Sequence, residues 1–407
     1  MKKQLIAVSI LAVMSAPAMA TKARMIALGE NINENNGSFY FSDSRNIFQN
    51  AAYANIYKNM VIAEWGSNGA PNTVSPKGDS DKNPQAEGGF LKSHGNYVYG
   101  LYVGAESAYT NELRGYTRSL RNDAYHQDNQ IDLFFAGEAA VKWGANVTYS
   151  NSKRDSEDAK QSSASVRFGV IAEKIEGFVN VSLQNKAEVQ SLAGANPATG
   201  TPNGGKDEFK GKLGFEVGGT YNADFAKLFA YVRHANWEHD AESVNSATAP
   251  YTAYTGKFDG SYWLYQVGAG KEHKLNDKAT LFTKAEYLNF TRKVEVTSGA
   301  ADGAEINLDN YSVPVTVGLE YDAASWLTVR GSVVQNLISQ TDNDYDGKEA
   351  NVSSGVLTAR PSGKRTIANS TNVNAGMTLP LCQDRCRLHQ IINGGDLEHR
   401  NEAFVRV

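Results

Sequence analysis

Short segments that alternate apolar and polar side chains constrain this chain more than any other feature. In Tyr311–Tyr321 one set reads Tyr311, Val313, Val315, Val317, Leu319, Tyr321 and the other Ser312, Pro314, Thr316, Gly318, Glu320. In a strand the two sets point to opposite faces, one suited to hydrocarbon and one to water. At a rise of about 3.3 Å, ten residues span about 33 Å, and a tilt of about 40° brings this to about 25 Å, the apolar height of a membrane barrel. The two tyrosines then fall at the two membrane interfaces, where amphipathic rings are favoured. The alternation recurs in 97–105, 141–150, 166–172, 209–221 and 263–270. In 227–234 it leaves two faces open, Phe229/Tyr231 or Leu228/Ala230/Val232.

The alternating runs give expected strands at 59–66, 87–93, 96–106, 130–138, 141–150, 162–172, 175–186, 207–221, 225–237, 257–271, 279–296, 308–321, 326–338 and 367–379. The connections alternate in length. Long ones fall at 67–86, 107–129, 151–161, 187–206, 238–256, 297–307 and 339–366, and short ones at 94–95, 139–140, 173–174, 222–224, 272–278 and 322–325. Short periplasmic turns and long outer loops characterise outer-membrane barrels. The expected fold is therefore all-β: a transmembrane antiparallel up-and-down β-barrel of about 14–16 strands over 59–380. Residues 21–58, aromatic and rich in Asn without sustained alternation, are expected to form an N-terminal arm or lumen plug, or one or two irregular strands.

The two ends differ from the rest. Lys2 and Lys3, the apolar stretch Leu5–Met14 and Ala18-Met19-Ala20 have the order of a signal peptide over 1–20, and the apolar stretch is too short to span a membrane as a helix. Residues 381–407 hold both cysteines and lack Lys, Ser, Thr and Tyr, so this anomalous tail is expected to reflect a frameshift near Pro380 or a natural divergence. Export and cleavage would place the protein in the outer membrane of a Gram-negative bacterium, in contact with lipid, lipopolysaccharide and small solutes.

The near-balanced charge, −4 overall, with no basic stripe argues against nucleic-acid binding. Gly200–Lys206 imitates a phosphate loop, but Asp207 follows and no helix is expected there. Asp342, Asp344, Asp346 and Gly347 match the start of a calcium loop, but Ser353 stands where the bidentate Glu belongs, so a solvated acidic loop is the expectation. His234 and His239 are an odd number apart and would face opposite ways on one strand. No catalytic, cofactor or metal site is expected, and the chain is not expected to be an enzyme. The candidate pore-lining charges are Lys142, Arg167, Lys210, Lys212, Glu216, Lys284, Glu286, Glu320 and Arg330. The candidate interface aromatics are Tyr97, Trp143, Tyr149, Tyr221, Trp263, Tyr311 and Tyr321.

Over 59–379 the chain resembles bacterial outer-membrane porins. Glu87-Gly-Gly-Phe90 through Tyr97-Val-Tyr-Gly-Leu-Tyr102, together with the mature N-terminus, is similar to the major outer-membrane, porin-like proteins of predatory bacteria. This resemblance implies a channel for passive diffusion of small hydrophilic solutes and ions, a trimer, and a C-terminal strand ending in an aromatic residue, where this chain ends in Val407. A second resemblance lies in Asp43–Ala52. It is similar to the Asn-Pro-Ala stretch of long-chain fatty acid transporters, where that stretch belongs to a plug inside a fourteen-stranded barrel. Here Ala51 stands in place of the proline. That likeness implies the alternative, a plugged carrier of hydrophobic compounds; a structural or interaction protein of the outer membrane is a further alternative.

Overall fold

The computed structural model describes residues 22–30, 37–66, 85–105, 110, 113–114, 127, 129–155, 159–195, 202–243, 255–299, 302–346, 363–367, 370–380 and 387–392. Strands dominate because β-branched and aromatic residues alternate with polar ones at period two. They are β1 Met60–Gly66, β2 Gln85–His94, β3 Tyr97–Val103, β4 Ile131–Glu138, β5 Lys142–Arg154, β6 Ala159–Ile171, β7 Ile175–Ala195 and β8 Pro202–Asn222. They continue as β9 Lys227–Ser243, β10 Thr255–Lys274, β11 Ala279–Gly299, β12 Glu305–Ala324, β13 Leu327–Asp346, β14 Gly363–Ile367, β15 Ser370–Pro380 and β16 Arg387–Ile392. All sixteen lie in one sheet in sequence order, with β14 pairing the outer part of β13 beside β15. Every pairing is antiparallel.

The up-and-down antiparallel sheet agrees with the all-β expectation. Strands β7 to β13 run further toward the long connections than the alternation suggested, since β7 reaches Ala195 and β13 reaches Asp346. The outer ends of β9 and β13 are mostly polar on both faces, so hydropathy could not mark them as strands, whereas that of β7 buries Ala187 and Val189. In the tail, the backbone of Arg387–Ile392 pairs with β15, and 381–386 and 393–407 lie outside the described residues, as do 1–21.

The arm before β1 begins with a short helix, α1 (Lys22–Ala27), and continues as two 3-10 turns, Ser44–Phe48 and Ala51–Asn55. Asp43 and Asn50 cap the two turns by accepting from the backbone N–H groups of Arg45 and Ala52. Lys22 donates its Nζ to Glu87 on β2 at 2.9 Å, and Ala27 packs against Gly376 on β15, where a Cβ would come within 2.8 Å. A helix of this length covers only about 9 Å, whereas in a flat sheet β2 and β15 would stand roughly 60 Å apart. The sheet therefore curves around the arm, which lies on its concave face.

The two faces differ in chemistry. Large apolar side chains stand exposed on the convex face, among them Leu133 (55%), Phe168 (51%), Val267 (54%) and Val373 (58%). Cross-strand pairs carry this band from strand to strand: Leu133 opposite Val147, Val179 opposite Val217, Val317 opposite Val333, and Val333 opposite Val373. Aromatic residues flank it. Tyr97, Tyr221 and Tyr321 are exposed beside the short turns and Tyr149 at the opposite end, while Trp143, Trp263 and Tyr311 are half-buried against neighbouring rings. No helix among the described residues is long and apolar enough to cross a membrane, which says nothing about strands.

Candidate functional site in the arm-filled interior

The concave face is charged, and its charges are paired. Arg167 bonds Asp132 at 2.9 Å, Arg233 bonds Glu216 at 2.8 Å, Lys284 bonds Glu286 at 2.9 Å, and Arg330 bonds Glu320. Of the sequence-based candidates, Arg167, Glu216, Lys284, Glu286 and Arg330 are buried on this face, with Glu320 beside them. Lys142 is half-buried at the short-turn end and pairs with Glu138 at 2.9 Å.

Lys210 and Lys212 differ from expectation. They were placed on the same face as Glu216, but the β8–β9 register shifts by one residue between Gly211 and Gly214. A bulge of this kind inverts the side-chain parity of everything beyond it. Phe209 is thereby buried on the concave face, while Lys210 and Lys212 stand exposed on the convex face and pair with Glu208 and Glu238. A similar shift around Ser165 leaves Leu183 on β7 extra and 64% exposed. Alternation read straight through 209–221 could not detect the break, because Gly211 and Gly214 carry no hydropathy signal.

The arm completes the ion pairs of the wall. Arg24 bonds Asp43 within the arm at 3.1 Å and Glu320 on β12 at 3.0 Å, with its guanidinium 5.1 Å from the Phe41 ring centre. Arg45 bonds Glu64 on β1 at 2.9 Å and Glu87 on β2 at 2.6 Å. Glu30 bonds Lys284 on β11 at 3.3 Å and accepts from Ser38 Oγ at 3.1 Å. Burial pushes the Glu30 carboxyl above the usual range, against the attraction of Lys284, and burial likewise raises Asp43 against Arg24. Within the arm, Asn46 and Ser38 exchange two bonds of 3.0 Å that close the loop between them.

Two wall glycines make room for the second turn. A Cβ on Gly144 would lie 2.3 Å from Ala51 O, and one on Gly169 would lie 1.8 Å from Asn50 Oδ1. Asn50 also donates to Val170 O at 3.3 Å and Gly177 O at 3.4 Å, and Asn55 donates to Trp143 O at 2.9 Å. The Asn50-Ala51-Ala52 stretch is thus seated directly on the wall.

On β7 and β9 the concave face also carries rings, beginning close to the short turns. Phe39 of the arm stacks on Phe229 with centroids 5.0 Å apart, and Phe178 and Tyr231 complete the cradle. Beyond it lie Phe209, Trp237, Tyr262 and Leu264, all buried, with Phe290 packed against them. The open choice in 227–234 resolves to Phe229 and Tyr231 facing inward.

Arg114 and Gln127, between β3 and β4, lie in the interior as well. Arg114, 1% exposed, donates to Asn185 Oδ1 at 2.7 Å, Gln161 Oε1 at 3.0 Å and the carbonyls of Ser162 and Lys186 at 3.2 Å each. Gln127 donates to Ser163 Oγ at 2.7 Å. A cavity of about 20 Å³ lies among Gln127, Arg167, Asn180 and Glu216, room for about one water. Sequence reasoning missed Arg24, Glu30, Asp43, Arg45 and Arg114 as interior groups, because none sits in a periodic segment; the only signal was the aromatic and Asn-rich composition of the arm.

The remaining motifs are placed plainly. Asp342 and Asp344 lie on β13, a strand rather than a loop. Lys206 lies within β8, and no helix follows it. His239 is buried against Phe258, while His234 faces the other way and stacks on Trp263 at 3.9 Å. Among the described residues no group of His, Cys, Asp and Glu is arranged to hold a metal. Comparison with family models, curated proteins and solved structures gives no match.

Proposed function

We propose that the chain is an outer-membrane β-barrel that carries apolar or amphipathic compounds, with the sheet closed on itself and the N-terminal arm as its plug. The continuous exposed apolar band supports a hydrocarbon environment, since monomers in water rarely expose such a surface. In lipid, every strand edge must be satisfied, so a sheet whose first and last strands meet through α1 is expected to close.

The observation that carries the functional reading is the aromatic inner wall formed by Phe178, Phe209, Phe229, Trp237 and Tyr262. A lumen for water and ions has no use for such a wall, whereas an apolar solute that displaces Phe39 from these buried rings gains about 25 cal/mol for each Å² it buries in its place. The paired state of Arg167, Glu216, Lys284 and Arg330 also speaks against the diffusion-channel expectation, because these charges engage their neighbours rather than a water column.

The test uses full-length protein refolded into phosphatidylcholine vesicles. A fluorescent long-chain fatty acid is expected to bind saturably, with little ion conductance in a planar bilayer. Large, discrete conductance steps without fatty-acid binding would overturn the carrier reading in favour of a hydrophilic diffusion channel.

A further inference from the structure

Just outside the aromatic flank on the loop side, the convex face of β10–β13 is hollowed into a cavity of about 400 Å³. This lies within the range of about 300–1,000 Å³ of small-molecule sites. The register defines its floor. Trp263, Thr291, Asp309 and Asp342 stand directly opposite one another across the four strands and so share a face. One step further out, Lys293, Asn307 and Asp344 do the same. All seven line the cavity. One step inward lies the row that holds Tyr265 and Tyr311.

Two features of this hollow point to its occupant. The Trp263 and Tyr265 rings are parallel, 4° apart with centroids 5.7 Å apart, and form a stacked apolar shelf. Beside the shelf, Asp309 and Asp342 face each other across the strand pair. Like charges in directly opposite positions destabilise a sheet unless a ligand or counter-charge separates them. Asn289 steers Asp309 by donating to its Oδ1 at 2.9 Å, and Lys293 turns outward to Glu305 at 2.7 Å. Lys364 of β14 borders Asp342 on the far side.

A flat aromatic ring flanked by carboxylates matches a sugar ring. The C–H face of a pyranose lies on the aromatic shelf, and its hydroxyls donate charge-assisted bonds to the carboxylates. A phosphate is disfavoured because the carboxylates Asp309, Asp342 and Asp344 outnumber the cations Arg292 and Lys293 in the lining.

We infer that this hollow binds the sugar headgroup of a membrane glycolipid, with Trp263 as the stacking platform and Asp309 and Asp342 as hydroxyl acceptors. The glycolipid is favoured over a free glycan by position: the shelf begins where the exposed apolar band ends, so a headgroup fits while its acyl chains lie along Val267 and Val317. This inference rests on the membrane-barrel reading.

The experiment uses the full chain inserted in phosphatidylcholine vesicles doped with either glucosyl diacylglycerol or phosphatidylglycerol. After extraction into a sugar-free detergent, the lipids retained are quantified by native mass spectrometry. The intact protein is expected to retain the glucosyl lipid in preference to phosphatidylglycerol. Trp263→Leu is expected to lower that preference about tenfold, which corresponds to about 1.4 kcal/mol. Asp309→Asn with Asp342→Asn, which removes the charge and keeps the shape, is expected to lower it several-fold.

Variants that insert like the parent and keep the full preference would overturn the site. Competition by soluble glucose without any retained glucosyl lipid would overturn the lipid as occupant. Insertion without any glucosyl preference overturns this inference alone, whereas failure to insert at all overturns it together with the membrane-barrel reading.

Discussion

The arm is held to β1, β2, β11 and β12 by charge, and to β7 and β9 by rings. Arg24, Glu30 and Arg45 reach from the arm to carboxylates and an ammonium on β1, β2, β11 and β12. Phe39 stacks into the cradle of Phe178, Phe229 and Tyr231. Buried ion pairs demand one geometry and lose several kcal/mol when one partner is removed. Aromatic packing is nondirectional by comparison, and one apolar ring is readily exchanged for another. The charged contacts fix where the arm sits, and the ring contacts add apolar burial without fixing one geometry.

The largest test of this contrast removes the arm. Deletion of residues 21–58 is expected to leave the sheet inserted but to turn low conductance into discrete large steps, because a barrel of this strand number encloses an aqueous channel unless filled. Unchanged conductance would mean that something other than the arm closes the lumen, with the β3–β4 connection around Arg114 the first suspect.

A smaller effect is expected from Arg45→Ala. It leaves Glu64 and Glu87 buried without their common partner and should destabilise arm docking by about 3–5 kcal/mol, read as faster protease cleavage between residues 37 and 58. Arg45→Lys should restore part of the protection, since both bonds run from the single Nη1 atom, a role that a compact ammonium can share.

The pH dependence is expected to be smaller still. Burial raises the carboxyls of Glu30 and Asp43 in the docked arm above their values in a free chain. The docked state therefore binds those protons more tightly. The contribution of these two groups to docking is largest below the ordinary carboxylate range and is lost as pH rises through the raised values. Protease protection of the arm in mildly acidic buffer should exceed that in mildly alkaline buffer, and the reverse order would mean that the ion pairs with Lys284 and Arg24 outweigh burial.

No effect on ion selectivity is expected from Lys210→Glu with Lys212→Glu, because the bulge on β8 turns both side chains to the convex face. A shifted reversal potential in the arm-deleted channel would place them back in the lumen.

Much of the architecture was legible from period-two hydropathy. In Tyr311–Tyr321 the assignment of faces needed only alternation, and Val317 and Leu319 are exposed while Thr316 and Gly318 are buried. The interior was far less legible. Alternation read through 209–221 turns Phe209 outward with Val217 and Tyr221, yet it is fully buried, since a one-residue register shift among glycines leaves no trace in hydropathy. Arg114 and Arg45 sit in aperiodic segments, where a buried arginine and a solvated one look alike in sequence.

By itself, the sequence determined that this chain forms antiparallel strands with one apolar and one polar face, because alternation is a property of neighbours along the chain. Tertiary structure alone decided which charges meet. Arg24 reaches Glu320, and Arg45 reaches both Glu64 and Glu87, across separations that no local pattern encodes. Such contacts depend on the curvature of the sheet and on the parity set by single bulges. A one-residue shift there moves every later side chain to the other face.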